Sequence, residues 1–233
     1  MKQIYIIHEH HPRLLLFFAG WGADETPFKE YRPAGCDFML CYDYRTLHFD
    51  ASSLEEYQEI NVIGWSMGVW AATQVMSGLL TQVMFGLSIK VAHSIAINGT
   101  PFPVDDYRGI PSAIFRGTLD GLTGASLNKF LRRMCADGAA FKAFLQVTPR
   151  RPLEELREEL AEIEKNYKAQ IEDDGRNDFH WQQAIIGSND RIISPANQLQ
   201  AWTEQGTPVQ QTEDAHYQET LFRHYLQDLW TNN

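Results

Sequence analysis

Long apolar runs are absent from this sequence of 233 residues. No stretch reaches the roughly 20 apolar residues that a membrane-spanning helix needs. The first residues, MKQIYIIHEHHPR, also lack the apolar segment and small-residue cleavage site of a secretory signal. We therefore expect a cytoplasmic protein without a membrane partner.

Cysteine is scarce as well. Cys36, Cys41 and Cys135 form an odd set without CxxC spacing, which argues against both a disulfide framework and a zinc ribbon. Unpaired thiols of this kind fit a reducing compartment. We interpret Cys36 and Cys41 as core or strand residues rather than as a redox pair.

Positively charged residues are also few: the sequence has 20 Lys and Arg against 30 Asp and Glu, which gives a net charge of −10. This balance argues against general nucleic-acid binding, which needs a broad basic face. No GxGxxG or Walker-type loop occurs, so we predict no cofactor. The histidines of HEHH, residues 8–11, could suggest a metal site, but we expect adjacent side chains at a hairpin to point in different directions and predict none.

What the sequence does contain is an alternation of strand and helix patterns. Short runs rich in apolar and aromatic residues predict strands at QIYIIHE, RLLLFFAG, DFMLCYDY, INVIGW, SIAING, QAIIGS and PVQQTE. Helical patterns lie between several of them, and in SPANQLQAWTEQ Ser194 suits an N-cap and Pro195 the first turn. We predict one α/β domain over residues 1–233, a mostly parallel sheet covered by helices on both faces.

Two segments depart from this alternation. The few residues around His10 to Pro12 fit an antiparallel hairpin between the first two strands. Residues 101–180 hold no convincing strand except PSAIF, but carry helical patterns in ASLNKFLRRMC and PLEELREELAEIEKNYKAQ. In the second of these, one apolar stripe at three-and-four spacing comprises Leu153, Leu156, Leu160, Ile163 and Tyr167. We interpret residues 101–180 as a helical lid inserted before the last strands.

The stretch NVIGWSMGVWAA, residues 61–72, contains the pattern GxSxG between a strand and a helix. This is the nucleophile elbow of α/β hydrolases, in which the glycines permit a strained turn that pushes the serine toward substrate. Ser66 could instead be only a small residue at a tight turn. The flanking strand and helix patterns favour the α/β-hydrolase fold with Ser66 as nucleophile.

A serine nucleophile needs a base, and in this fold the base comes last in the chain. His216 follows the last predicted strand in TPVQQTEDAHYQE, where a loop could aim it at Ser66. His224 lies within a helical pattern, and we interpret it as structural. We therefore predict His216 as the general base.

The acid that orients the base has more than one candidate. Asp190 ends QAIIGSND, a strand followed by a small-residue turn, and Asp120 ends PSAIFRGTLD, which looks similar. Asp190 is followed by one helix, one strand and then His216, so we predict Asp190 as the acid and place Asp120 at the start of a lid helix. Asp214, two residues before His216, is a third candidate.

The tetrahedral intermediate of this chemistry carries an oxyanion, which hydrogen-bond donors must stabilise. One donor in this fold is the N–H after the nucleophile, here Met67, and the other comes from a loop after an early strand. The glycine-flanked loop in RLLLFFAGWGADE makes the N–H of Trp21 our second candidate.

Five blocks of sequence carry a more specific signal: FFAGWGADETPF, CYDYR, GWSMGVWAA, INGTPFPVDDYRGIPSAIFRGTLDG and FLRRMC. Together they resemble the BioG-type pimeloyl-acyl-carrier-protein methyl ester carboxylesterases of biotin synthesis and, more distantly, the BioH esterase. The resemblance covers most of the chain. It implies hydrolysis of the methyl ester of pimeloyl-acyl carrier protein, with Ser66 as nucleophile and Trp21 and Met67 as oxyanion donors. Asp190 and His216 rest mainly on their order in the chain.

The implied carrier protein is acidic and would need a basic surface. Residues 108–151 contain eight positive and two negative side chains, whereas residues 154–178 contain ten acids and four bases. This segregation predicts a carrier-binding surface, although the same charges could be ordinary solvated helix faces. The predicted carrier-binding residues are Arg132, Arg133, Lys142, Arg150 and Arg151.

Two other functions remain open at this point. The same triad could act on a thioester or on another short acyl ester. A chain with this fold could also be a noncatalytic protein that binds a small ligand or a partner.

Overall fold

The computed structural model describes residues 1–83, 90–172 and 178–230. Within these ranges seven strands form one sheet in the order β1-β3-β2-β4-β5-β6-β7. All neighbours are parallel except β1 and β3. The strands are β1 Lys2–Ile7, β2 Arg13–Phe18, β3 Asp37–Tyr42, β4 Glu59–Trp65, β5 Val91–Ile97, β6 Gln183–Gly187 and β7 Val209–Thr212. Each overlaps a predicted strand, and the predicted α/β-hydrolase fold is confirmed.

The helices mostly follow the predicted patterns. They are α1 Met67–Val83, α2 Ser112–Asp120, α3 Gly124–Met134, α4 Gly138–Phe144, α5 Leu153–Glu172, α6 Pro195–Gln205 and α7 Glu219–Leu226. Ser194 is the N-cap of α6 with Pro195 in its first turn, as predicted, although the Ser194 side chain makes no capping hydrogen bond. No helix among the described residues has the length and apolar character that crossing a membrane requires.

The core runs through the central strands. Consecutive residues Leu14–Phe18 of β2 are fully buried, as are all six residues of β3. Because successive side chains of a strand point to opposite faces, this burial means that the sheet is covered on both sides. Cys36, Cys41 and Cys135 are buried too, and burial raises the pKa of each thiol, which fits inert packing residues.

The predicted hairpin between β1 and β2 is wrong. β1 lies antiparallel against β3, while β2 has β3 and β4 as its neighbours. The buried carboxylate of Asp37, the first residue of β3, accepts hydrogen bonds from the backbone N–H groups of Glu9, His10 and His11. These bonds hold the connection between β1 and β2 across the start of β3. β1 therefore pairs with the side of β3 that faces away from β2.

Helices α2 to α5 lie between β5 and β6, and we call residues 112–172 the helical segment. The predicted strand at PSAIF is wrong, because Ser112–Asp120 form α2, whose buried residue is Phe115. The apolar stripe of α5 is buried at Leu156, Leu160, Ile163 and Tyr167, whereas Leu153 is exposed. Residues 173–177 of the predicted 101–180 insertion lie outside the described residues.

The strand order creates a crevice at the centre of the sheet. β2 and β4 are neighbours, and the chain leaves β2 toward β3 on one side and β4 toward β5 on the other. In open α/β sheets, such a switch point leaves a crevice at the carboxyl ends of the two strands. The loop after β2 and the turn after β4 therefore meet there.

Candidate active site

Ser66 lies in a strained turn between β4 and α1, with φ of 56° in the left-handed region. A non-glycine residue in that region costs about 1–3 kcal/mol, which the surrounding structure must offset. The flanking glycines are required by close approach: a Cβ on Gly68 would lie 2.1 Å from the Phe18 carbonyl oxygen, and one on Gly64 would lie 2.9 Å from Val69 Cα. The turn has the geometry of the nucleophile elbow that the GxSxG pattern predicts.

Ser66, His216 and Asp190 form one hydrogen-bonded row. Ser66 Oγ lies 2.9 Å from His216 Nε2, and His216 Nδ1 lies 2.8 Å from Asp190 Oδ2. All three residues are buried. Three loops bring them together, since Ser66 follows β4, Asp190 follows β6 and His216 follows β7.

Asp190 is held by more than the histidine. Its Oδ1 accepts from the N–H groups of Ile192 at 2.7 Å and Ile193 at 3.0 Å, and its Oδ2 accepts from Gln198 Nε2 at 2.9 Å. An ionised carboxylate has acceptor sites for all these donors. The buried Gln198 on α6 was missed by sequence reasoning, and only its position in the helix after Asp190 hints at the contact.

The backbone of His216 is fixed from two sides. Its carbonyl oxygen accepts from Trp65 Nε1 at 2.9 Å and from Asn98 Nδ2 at 3.2 Å. Asn98 Oδ1 in turn accepts from the N–H of Gly187 at 2.7 Å. Asn98, also missed from the sequence, thus ties together the loops that carry His216 and Asp190. Its signal is a polar residue directly after the buried end of β5.

The other predicted acids do not join this row. Asp120 is the last residue of α2 and is exposed, so its placement at a helix start is wrong as well. Asp214 is half-buried, and among the described residues no hydrogen bond joins its carboxylate to His216. His224 lies on α7 and is exposed.

Trp21 lies in the loop after β2, and Met67, the first residue of α1, directly follows Ser66. A Cβ on Gly20 would lie 3.1 Å from Ser66 Cβ, so the loop after β2 packs directly against Ser66. Neither amide donates a hydrogen bond within the ranges that the structure describes. Two free donors beside the serine suit an oxyanion.

The Trp21 loop is anchored on α5. Trp21 Nε1 donates to the Leu156 carbonyl oxygen at 2.9 Å, and the N–H of Gly22 donates to Glu159 Oε2 at 3.4 Å. The Glu159 carboxylate is fully buried and also accepts from Arg151 Nη1 at 2.7 Å and from the Tyr44 N–H at 2.9 Å. Burial raises the pKa of Glu159, while the Arg151 guanidinium and the Tyr44 N–H act in the opposite direction.

Ser66 and His216 line a cleft at this site. Its walls are mostly apolar and come from the Trp21 loop, the elbow and the helical segment. They include Trp21, Trp65, Met67, Ile114, Phe130 and Leu160. Arg133 is the charged side chain of the helical segment on this lining. The cleft therefore suits an apolar chain whose reacting carbonyl reaches Ser66.

Four of the five predicted carrier-binding residues are exposed: Arg132, Arg133, Lys142 and Arg150. Arg133 also donates to the Arg191 carbonyl oxygen at 2.6 Å. The prediction for Arg151 is wrong. Its side chain is 4% exposed, with Nη2 2.9 Å from Asp43 Oδ1 and Nη1 2.7 Å from Glu159 Oε2. A guanidinium enclosed by two carboxylates inside the protein cannot meet a partner, and removing one member of such a buried pair typically costs about 3–5 kcal/mol.

Comparison with known proteins identifies the family of this chain. Residues 1–228 match the model of the family described as pimeloyl-ACP methyl esterase BioG. A malonyl-[acyl-carrier protein] O-methyltransferase of Bacteroides fragilis is 50% identical over 91% of this chain, although the chain spans only 41% of that protein. The crystal structure of BioG from Haemophilus influenzae is similar with a TM-score of 0.80 and 38% identity over 97% of this chain and 98% of that one.

A more distant structure supports the fold alone. A lipase-esterase related protein from Clostridium acetobutylicum has a TM-score of 0.60 at 12% identity, covering 98% of this chain and 96% of that one. The resemblance inferred from the five sequence blocks is confirmed, and the chain belongs to the pimeloyl-ACP methyl esterase BioG family of carboxylic ester hydrolases.

Proposed function

We propose that this chain is a serine carboxylesterase that hydrolyses the methyl ester of pimeloyl-acyl carrier protein to pimeloyl-acyl carrier protein and methanol in biotin synthesis. The observation that carries the proposal is the row Ser66, His216 and Asp190, which lies at an apolar cleft in a chain of this family. No step of this chemistry needs a cofactor.

In the first half of the reaction Ser66 Oγ attacks the methyl ester carbonyl. His216 Nε2 takes the hydroxyl proton, and Asp190 holds the imidazole with its Nδ1–H toward the carboxylate. The N–H groups of Trp21 and Met67 stabilise the oxyanion of the tetrahedral intermediate. His216 then gives the proton to the departing methoxide, so methanol leaves and the acyl chain stays on Ser66.

In the second half a water molecule completes hydrolysis. His216 takes a proton from the water as it attacks the acyl-enzyme carbonyl, and the same two N–H groups stabilise the second oxyanion. Collapse of this intermediate returns the proton from His216 to Ser66 Oγ and releases the carboxylic acid, which loses its own proton to solvent. The thioester to the carrier stays outside, because Ser66 is buried and the carrier is too large to follow the chain into the cleft.

The reaction is tested by the mass of the carrier protein. Incubation of the purified chain with methyl pimeloyl-acyl carrier protein should convert it to pimeloyl-acyl carrier protein, a mass loss of one CH₂ equivalent with the acyl chain retained. Intact-protein mass spectrometry distinguishes the products. Loss of the whole acyl chain, which leaves the free carrier thiol, would make the chain a thioesterase instead.

We further propose that the carrier docks on the exposed basic residues of the helical segment. Arg133 supports this placement, because it lies on the lining of the cleft and its neighbour Arg132 on α3 is exposed. A second groove beside the cleft, between α2 and α3, is lined by Lys129 and Arg133 together with the exposed Ile114. An acidic carrier seated there would present its acyl chain at the cleft mouth.

Charge reversal tests the docking surface. Arg132→Glu with Arg133→Glu is expected to lower kcat/KM for the carrier-bound ester by about tenfold or more at low salt, because the substitutions repel an acidic partner. Hydrolysis of a small free methyl ester should change little. Lys165→Glu, an exposed substitution on α5, is the matched control, and Arg132→Glu alone separates docking from the contact of Arg133 with Arg191. Equal losses on both substrates would count against the surface.

A further inference from the structure

Three side chains with metal-binding atoms converge at the end of the sheet opposite the active site, where the parallel strands begin. His8 Nε2 lies 3.1 Å from Glu56 Oε1, and His10 Nδ1 lies 3.1 Å from Glu56 Oε2. One ligand atom from each residue lies within 4.8 Å of the other two. His8 and Glu56 are about two-fifths exposed and His10 more so, which leaves the cluster open to solvent.

These separations are close to those of a metal centre. Ligand atoms bound to Zn²⁺ at about 2.0–2.1 Å in tetrahedral geometry stand about 3.3 Å from each other. His8 and His10 face different oxygens of Glu56, so the side chains would need to turn slightly for all three to reach one ion, within a cluster whose ligand atoms already lie within 4.8 Å of one another. Two imidazoles with one carboxylate favour zinc and its neighbours among the transition metals over Mg²⁺ and Ca²⁺, which prefer oxygen ligands.

A buried support fixes the turn that carries the histidines. Asp37 is fully buried, and its carboxylate accepts from the N–H groups of Glu9, His10 and His11, from Tyr57 Oη at 2.9 Å, and lies 2.9 Å from His11 Nδ1. His10 has φ of 62°, which the Asp37 contacts stabilise. The backbone of residues 9–11 is thus set before any ion arrives.

The ring of His8 has its own support. It stacks on the Tyr5 ring with centroids 3.9 Å apart and an interplanar angle of 6°. Tyr5 is held by a hydrogen bond from its hydroxyl to the Ser53 carbonyl oxygen at 3.2 Å. The stack restricts rotation of the His8 ring and keeps Nε2 near Glu56.

We propose that His8, His10 and Glu56 bind a divalent transition metal ion, zinc first among them, and that the bound ion stabilises the fold. The expectation that neighbouring histidines point apart overlooked that His8 and His10 are alternate residues, and that the left-handed turn at His10 returns its ring to the side of His8. Water fills the remaining coordination position.

The place of the cluster defines its role. His8 and His10 follow β1, and Glu56 precedes β4, so the ion would link the antiparallel edge strand to the chain entering the centre of the sheet. Ser66 is at the other end of β4, a distance of about 20 Å for a seven-residue strand. Bound zinc should therefore stabilise the fold without changing hydrolysis at Ser66.

Calorimetric titration of the chelator-treated chain with ZnCl₂ tests the site. One equivalent of zinc should bind and raise the midpoint of thermal unfolding, since an ion that binds only the folded chain stabilises it. His8→Ala with His10→Ala should abolish this binding, and Glu56→Gln should weaken it by about tenfold or more. MgCl₂ should give no signal.

The matched control replaces two exposed histidines elsewhere, His48→Ala with His224→Ala, and should keep zinc affinity unchanged. All these substitutions are on the surface, so each variant should fold and its unfolding midpoint without zinc can be compared. Absence of zinc binding, or binding that is equal in the His8 and His10 double variant, would overturn the proposal.

Discussion

Ser66→Ala is expected to lower kcat for methyl-ester hydrolysis by about 10⁴- to 10⁶-fold, and His216→Ala by a similar factor. The first change removes the oxygen that forms the acyl-enzyme, and the second removes the base 2.9 Å from it. Because the two groups act as one unit, the double variant should be no slower than either single variant. Initial rates on methyl pimeloyl-acyl carrier protein measure the loss.

His224→Ala is the matched control, since His224 is exposed on α7 and should leave the rate unchanged. Unfolding midpoints should show that Ser66→Ala still folds, because Oγ can be removed without opening the core. A serine-reactive fluorophosphonate should label the native chain and not Ser66→Ala. Comparable hydrolysis by Ser66→Ala would rule out the mechanism, and a native chain that neither hydrolyses the ester nor takes the label would be a noncatalytic binding protein.

Asp190→Asn should lower kcat by about 10⁴-fold. The amide cannot balance the charge of the imidazolium, and its NH₂ group beside Nδ1 would favour the wrong tautomer of His216. The N–H groups of Ile192 and Ile193 already point at Oδ1, so the asparagine would place its NH₂ group toward His216. The rate on a small methyl ester measures the effect without carrier docking.

The two rejected acids are the comparison for this variant. Asp120→Asn and Asp214→Asn should each leave kcat within about twofold of the native value, since surface substitutions away from a site have small effects. A loss on Asp214→Asn equal to that on Asp190→Asn would show that the row in the structure is not the working triad.

The parts of the site that are local in sequence could be predicted. The elbow is encoded within five residues, because Gly64 and Gly68 are needed wherever a serine turns between strand and helix at this closeness. Asp190 and His216 were also found from the sequence, because each directly follows a strand of a fold whose order is fixed. Their catalytic roles remain predictions for the substitutions above.

The features that the sequence did not predict depend mainly on contacts between residues that are distant in the chain. The partner of β1 depends on Asp37, which is distant in sequence from the turn that it holds. The pattern PSAIF predicts a strand although most of its residues begin α2, because a short apolar run is common to strands and buried helices. Arg151 belongs to a basic stretch of the sequence, yet Asp43 and Glu159 enclose its side chain. A count of charges along the sequence cannot distinguish a buried arginine from an exposed one.

The anchoring of the Trp21 loop on α5 limits how this scaffold can be remodelled. Because Leu156 and Glu159 hold the loop that carries the proposed oxyanion donor Trp21, we assign the last helix of the segment to the framework of the site rather than to a separable lid. Chimeras that exchange all of residues 112–172 with a relative would discard that support along with the roof of the cleft. Exchanges confined to α2 would keep both that support and the hydrogen bond from the Tyr217 N–H, beside His216, to the Met134 carbonyl oxygen of α3. We therefore expect that acyl-chain preference can be altered in α2, whose Ile114 and Phe115 line the cleft, while the reaction centre stays intact.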